Sequence, residues 1–394
     1  MARLCLAAAL LLAGAPTLAL GPLLPLAAPP PPPPPGLVFF RAAGAGARVL
    51  WEGRTAVDEA AGSATFDWPG VRVSVVALTT TSLWANISSP GAVRGLFRVL
   101  VDGVNVSSVA TSNETALYCL ARGLDASVPH VVEVVSALEP ALLHPQPFLP
   151  AQPYAALTVA AFGVDAGGRL AGPPAPLARR LAVVGDSITA GFGAAGVPPD
   201  CPNPEVYAED NSVTYGRLLC ARFGAACDVV AYSGKGLYVN SPTAGTSETM
   251  PAYYRQTLGA GQEPYAPTWD PARFVPDAVI VNLGTNDYGH NHDTGPAWEK
   301  NFTDTYVAFM ANLTALHGDE RLPIFAASGP LASKPAPAIE AAVAAHNAAG
   351  GRAVFLDLQL GRAAGGCFGH PSAEDHSDMA ALAAPVIARE LGWQ

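Results

Sequence analysis

From about residue 180 to its end the chain alternates short apolar runs with helix-length stretches, and this alternation constrains the fold more than any other feature. Strand-like runs at Leu181–Val184, Val229–Tyr232, Ala278–Leu283, Ile324–Ser328 and Val354–Leu358 alternate with helix-like stretches near Ser212–Phe223, Glu299–His317, Ala338–Ala349 and Asp378–Leu391. Parallel neighbours need a long crossover, which helices supply, so the pattern predicts right-handed βαβ units and one parallel sheet covered on both faces. In such a sheet every loop after a strand opens on the same carboxyl edge, where open α/β folds place their ligands. The chemistry of this half is therefore expected on its post-strand loops.

Upstream the period changes. Short β-rich runs at Val71–Leu78, Gly95–Val101, Val131–Val135 and Ala155–Phe162, separated by turn residues, predict an antiparallel β-sandwich over residues 37–165. The Gly- and Pro-rich stretch Gly167–Pro176 lies in a linker read as 166–179, ahead of an α/β domain at 180–394. Pro29–Pro35 is a stiff left-handed spacer within a second linker at 20–36. Before it, Arg3, the apolar Leu4–Leu12 and small residues around Ala19 have the layout of a secretory signal peptide, read as residues 1–19. The competing reading is an uncleaved type II anchor; Pro16, Pro22 and Pro25 argue against it by interrupting the helix of about 20 residues that a span needs.

A net charge of -10 leaves no basic footprint for nucleic acid and opposes attraction to anionic membranes or polyanionic substrates, so a neutral substrate is expected. Asn-x-Ser/Thr sequons at Asn86, Asn105, Asn113, Asn301 and Asn312 point to passage through a secretory pathway. Removing the signal leaves Cys119, Cys201, Cys220, Cys227 and Cys367, an odd set that allows two intrachain bridges and one unpaired thiol.

The chemistry collects on the post-strand loops. The run Val183–Gly191 ends its strand in Gly185-Asp186-Ser187 and makes Ser187 the candidate nucleophile; it lacks the Gly-x-Ser-x-Gly pattern of the α/β-hydrolase elbow. Ser233-Gly-Lys-Gly236 after the second strand offers backbone N–H groups to a developing oxyanion, and Asn286 in Asn282-Leu-Gly-Thr-Asn-Asp287 offers a side-chain amide. A serine near neutral pH needs an adjacent base, and the last loop supplies two histidines, His370 and His376.

Gly185-Asp-Ser187, Gly234, Gly284-x-Asn286-Asp287 and the late His370 resemble the four ordered blocks of the SGNH, or GDSL-type, hydrolases. The longer runs Gly185–Gly193, Ser233–Leu237, Met250–Tyr254, Asn282–Asp287 and Gly366–Ser372 are similar to those of the family 2 carbohydrate esterases, as is the sandwich motif Trp51–Thr55 with Glu139. The resemblance implies a flavodoxin-like three-layer α/β/α hydrolase domain preceded by a jelly-roll β-sandwich. It implies Ser187 as nucleophile and His370, rather than His376, as base, with the oxyanion held by the Ser187 N–H, the Gly234 N–H and the Asn286 amide. Asp186 and Asp287 are the supporting carboxylates. It further implies removal of O-acetyl groups from xylan- or glucomannan-like polysaccharides, with no metal and no cofactor, by a secreted enzyme expected to be monomeric and to use neither nucleic acid nor membrane. The alternatives are an SGNH lipase or acyltransferase on another ester, and a glycan-binding protein impaired in catalysis.

One departure bears on mechanism. SGNH enzymes place an acid three residues before the base, and many of this family place Asp two before it; here those positions hold Cys367 and Phe368. A main-chain carbonyl is expected to orient the ring, leaving a Ser-His dyad, with Glu374 or Asp378 as the other possible orienting groups. Cys201 and Cys367, on loops expected at one sheet edge, are expected to pair and tie base to nucleophile; Cys220 and Cys227 are expected to pair across a helix-to-strand turn, leaving Cys119 single. Tyr238, Tyr288 and Trp298 lie near the site loops, where aromatic rings stack on sugars or pack the core.

Overall fold

A computed structural model describes residues 32–89, 95–112, 114–139, 156–202, 205–242, 244, 248–259, 268–289 and 295–394. The signal peptide read at 1–19, the start of the following linker and the sequon at Asn113 lie outside these residues.

The N-terminal part is a sandwich of two six-stranded sheets with antiparallel pairing throughout. Arg72–Leu78, His130–Ser136 and Leu96–Val101 are neighbours in one sheet; Leu157–Val164 and Ser82–Ser88 are neighbours in the other. Inward positions on these strands alternate with outward ones, so Phe66, Val73, Phe97, Val134 and Phe162 meet between the sheets as one buried layer. Within the stretch read as linker, Arg169–Leu170 pairs back onto Arg72–Leu78, and Arg179 already opens the parallel sheet.

The second part is a five-stranded parallel sheet in the order Ala225–Ala231, Arg179–Gly185, Ala278–Asn282, Ile324–Ser328, Ala353–Asp357. The first strand in sequence is thus second in space, the flavodoxin-like arrangement, and the strand order reverses beside it. All of its strands but Ala353–Asp357 are buried along most of their length, which is why they read as unbroken apolar runs. Helices Tyr215–Phe223 and Ala373–Leu391 pack together on one face, and Pro296–His317 and Ala336–Ala348 on the other. The last helix starts earlier than the apolar pattern suggests, because Ser372 and Asp375 form a reciprocal capping box.

The two parts share a continuous core and are joined by buried polar contacts. Arg54 pairs with Asp228 at 3.2 Å with both side chains buried, donates to the carbonyls of Tyr254 and Gln256, and lies over the Tyr254 and Trp269 rings. Arg98 from the sandwich pairs with Asp210 at 2.5 Å. Of the described sequons, Asn301 and Asn312 are exposed on the helix Pro296–His317, while Asn86 and Asn105 lie part-buried in strands. Among the described residues no helix is long and apolar enough to cross a membrane.

Candidate active site

The first parallel strand ends at Gly185, where an added Cβ would sit 2.0 Å from Thr189 Oγ1 and 2.6 Å from Thr189 Cβ, so glycine leaves the room that the following helical turn fills. Asp186 then caps the short helix Ser187–Ala190, its carboxylate accepting from Ile188 N at 3.0 Å. Ser187 opens that helix, so its N–H has no acceptor within it. The far end is fixed by Asn211, whose amide donates to the carbonyls of Thr189 at 2.9 Å and Ala190 at 3.1 Å. Ser187 is 7% exposed.

His370 Nε2 lies 2.9 Å from Ser187 Oγ, and its Nδ1 lies 3.1 Å from the Phe368 carbonyl oxygen. A carbonyl only accepts, so Nδ1 carries the ring proton and Nε2 is left to accept from the serine hydroxyl. To aim this carbonyl, Phe368 adopts φ 55 and ψ 30, a left-handed conformation that costs about 1–3 kcal/mol in a residue with a large side chain. The turn around it is closed by hydrogen bonds from His370 N to Cys367 O at 3.0 Å and from Gly366 N to His370 O at 2.9 Å. It is joined to the nucleophile loop by Cys367 N donating to Gly193 O at 2.9 Å and by the Cys201–Cys367 disulfide. Phe192 presents its edge to His370 at 4.8 Å between centroids and stacks on Phe368.

The other candidates fall away from the serine. His376 is fully buried, takes a hydrogen bond from Tyr215 N at 3.3 Å on Nδ1, and is held down to about 3 by burial. Asp378 pairs with Arg362 at 2.8 Å, and Glu374 is exposed at the start of the last helix. Cys220 and Cys227 are bonded on the sheet's far side from the edge, across the turn between helix and strand, and Cys119 is free. Tyr238, Tyr288 and Trp298 form a ring cluster with Phe302, Trp298 meeting Tyr288 at 4.8 Å, so they pack on the helix Pro296–His317.

Across from His370, Gly234 takes φ 77, with the Ala244 backbone 3.2 Å from where a Cβ would stand. Asn286 Nδ2 donates to Lys235 O at 2.9 Å and to Asp186 Oδ2 at 3.2 Å, so one amide links the turns that carry Ser187 and Gly234. Asp287 accepts from three successive N–H groups, those of Leu237 at 2.9 Å, Tyr238 at 2.7 Å and Val239 at 2.9 Å, which locks the loop after the second strand to the loop after the third. Burial raises the Asp287 pKa against those three donors, and burial pushes Asp186 up to about 7. Hydrogen bonds thus tie together the turns that carry Ser187, Gly234 and Asn286, and His370 Nε2 meets the Ser187 hydroxyl from the loop before the last helix. Phe192, Asn211 and the backbone of Phe368 join them without having been singled out; only the Gly-Phe-Gly run at 191–193 signals one of them in the sequence. Among the described residues no group of three or more His, Cys, Asp or Glu is arranged to hold a metal ion.

Residues 183–381 match the GDSL-like Lipase/Acylhydrolase family. The cellulase/esterase CelE of Acetivibrio thermocellus is 27% identical over 83% of this chain and 38% of its own length. An acetylxylan esterase / glucomannan deacetylase of Cellvibrio japonicus is 26% identical over 56% of this chain and 60% of its own. The chain therefore spans well under two thirds of these two curated relatives. Among solved structures, a carbohydrate esterase family 2 enzyme with a carbohydrate-binding domain from Corynascus thermopiles superposes with a TM-score of 0.72 at 29% identity, covering 88% of this chain and all of that one. That superposition takes in both the sandwich and the α/β/α unit. With the matched region running from the nucleophile strand into the last helix, this chain belongs to the GDSL-like lipase/acylhydrolase family.

Proposed function

We propose that the chain is a secreted serine esterase that removes O-acetyl groups from a neutral polysaccharide or oligosaccharide of the xylan or glucomannan kind. The observation that carries this reading is the pair of distances on His370, 2.9 Å from Nε2 to Ser187 Oγ and 3.1 Å from Nδ1 to the Phe368 carbonyl. Ser187 Oγ attacks the acetyl carbonyl carbon while its proton passes to His370 Nε2. The carbonyl oxygen becomes an oxyanion held by the Ser187 N–H, the Gly234 N–H and the Asn286 amide. Collapse breaks the bond to the sugar oxygen, which takes the proton from His370 and leaves as the alcohol. Water then gives its proton to His370 and attacks the acetyl-serine, and acetate departs as Ser187 regains the proton. The Phe368 carbonyl stands where an acid would, holding the tautomer and easing the imidazolium with a dipole in place of a charge.

Substrate class rests on the relatives named above and on the chain's charge of -10, which favours a neutral polymer. Secretion rests on the disulfides and on exposed Asn301 and Asn312. Acetate release from acetylated xylan and from 4-nitrophenyl acetate tests the reading. Ser187→Ala and His370→Ala should each lose about 10⁴-fold or more in kcat, and activity unchanged in either variant would sink it.

A further inference from the structure

Contacts from the sandwich reach the loops that bear the chemistry. Ser233 N donates to Glu139 Oε2 at 2.6 Å, and Glu139 N donates to Glu209 Oε1 at 2.6 Å. Glu139 follows the sandwich strand His130–Ser136, Ser233 immediately precedes Gly234, and Glu209 begins the segment whose Asn211 holds the nucleophile helix. All three side chains are buried. The same segment is tied to the sandwich by Asn211 N donating to Ala137 O at 2.9 Å and by the Arg98–Asp210 pair. Phe192, whose edge meets His370, packs on Leu96, Ala137 and Leu138 of the sandwich.

Two carboxyl groups buried side by side are costly unless protons and hydrogen bonds offset their charge. Burial pushes Glu139 up to about 8 and Glu209 well above the carboxylate range. An apolar pair would pack the junction at lower cost, yet only an acceptor satisfies the Ser233 N–H. We propose that Glu139 is a positioning residue of the oxyanion site: it holds the Ser233–Gly234 turn through the Ser233 N–H, which makes the sandwich a working part of the hydrolase site. The proposal rests on the oxyanion role given to Gly234 above. What matters is reach, since withdrawing the acceptor by one methylene frees the turn while the carboxyl group stays.

The test is kcat and KM on 4-nitrophenyl acetate for wild type, Glu139→Gln, Glu139→Asp and Glu139→Ala, expressed per acylated site from burst amplitude. Glu139→Gln keeps length and acceptor and should stay within about threefold of wild type, whereas Glu139→Asp and Glu139→Ala should lose about 10–100-fold in kcat with KM nearly constant. Should Glu139→Ala fail to fold, the Asp and Gln variants decide the matter. Wild-type kcat per site in Glu139→Asp, or a loss confined to KM, overturns the positioning role alone. Wild type as inactive as Ser187→Ala overturns the esterase reading and this proposal together.

Discussion

Replacing Asn286 by alanine should separate the catalytic from the structural work of one side chain. In the unliganded site both amide hydrogens are engaged, one with Lys235 O at 2.9 Å and one with Asp186 Oδ2 at 3.2 Å. On the proposed role, an oxyanion competes for one of these hydrogens as charge builds. Removing an oxyanion donor costs about 10²–10³ in kcat, or roughly 2.7–4 kcal/mol of transition-state stabilisation. The same change leaves Lys235 O and Asp186 Oδ2 short of a donor, at about 1–3 kcal/mol of folding stability for each buried group left unpaired. Steady-state kinetics on 4-nitrophenyl acetate, with thermal unfolding in parallel, should show kcat falling far more steeply than a few degrees in Tm would explain, and KM nearly unchanged. Asn286→Ala with kcat within tenfold of wild type would refute the oxyanion role, because the remaining two N–H donors would then suffice.

Three further outcomes follow from the same geometry. Gly193 has φ 81 and an added Cβ would stand 2.6 Å from His370 Cβ, so Gly193→Ala should displace the base and lower kcat at least about tenfold, measured beside wild type at equal folded fraction. Breaking the Cys201–Cys367 bridge with Cys201→Ser should cost about 2–4 kcal/mol in denaturant unfolding, and an unchanged midpoint would show that the tether adds nothing. For pH, Glu139 and Asp186 have folded pKa values raised to about 8 and about 7, so their stabilisation is complete below the ordinary carboxylate range and is lost progressively as pH rises from that range to about 8. His376, depressed to about 3, acts in the opposite sense and contributes fully only above about 6.5. Tm should therefore fall as pH rises from about 6.5 to about 8, and less steeply in Glu139→Gln; a flat profile in both proteins would contradict the buried-acid assignment.

The parallel sheet was legible because four of its five strands are buried along most of their length and three of its four crossovers carry a full helix, so period and length mark them. The loops bearing Ser187, Gly234 and Asn286 followed from that topology, since all post-strand loops share an edge. The sandwich was legible only in outline. Strands as short as Ala56–Asp58 and Ser63–Phe66 carry too few alternations to register, and they exist because neighbours pair with them. Contacts spanning the two parts, such as Glu139 to Ser233 and Arg98 to Asp210, leave no local pattern, because each partner is a lone polar residue about a hundred positions from the other. An orienting carbonyl was expected from the missing acid before His370, but that Phe368 would turn left-handed to supply it was not, since nothing in its side chain favours that conformation.

The central claim is that Ser187 carries the acetyl group between substrate and water. Rapid acid quench during turnover of 4-nitrophenyl acetate, followed by peptide mass spectrometry, tests it directly. An adduct of about 42 Da, one acetyl group, is expected on the peptide containing Ser187 in wild type and none at that position in Ser187→Ala. Turnover by wild type with the acetyl group on another residue, or persisting in Ser187→Ala, would contradict it.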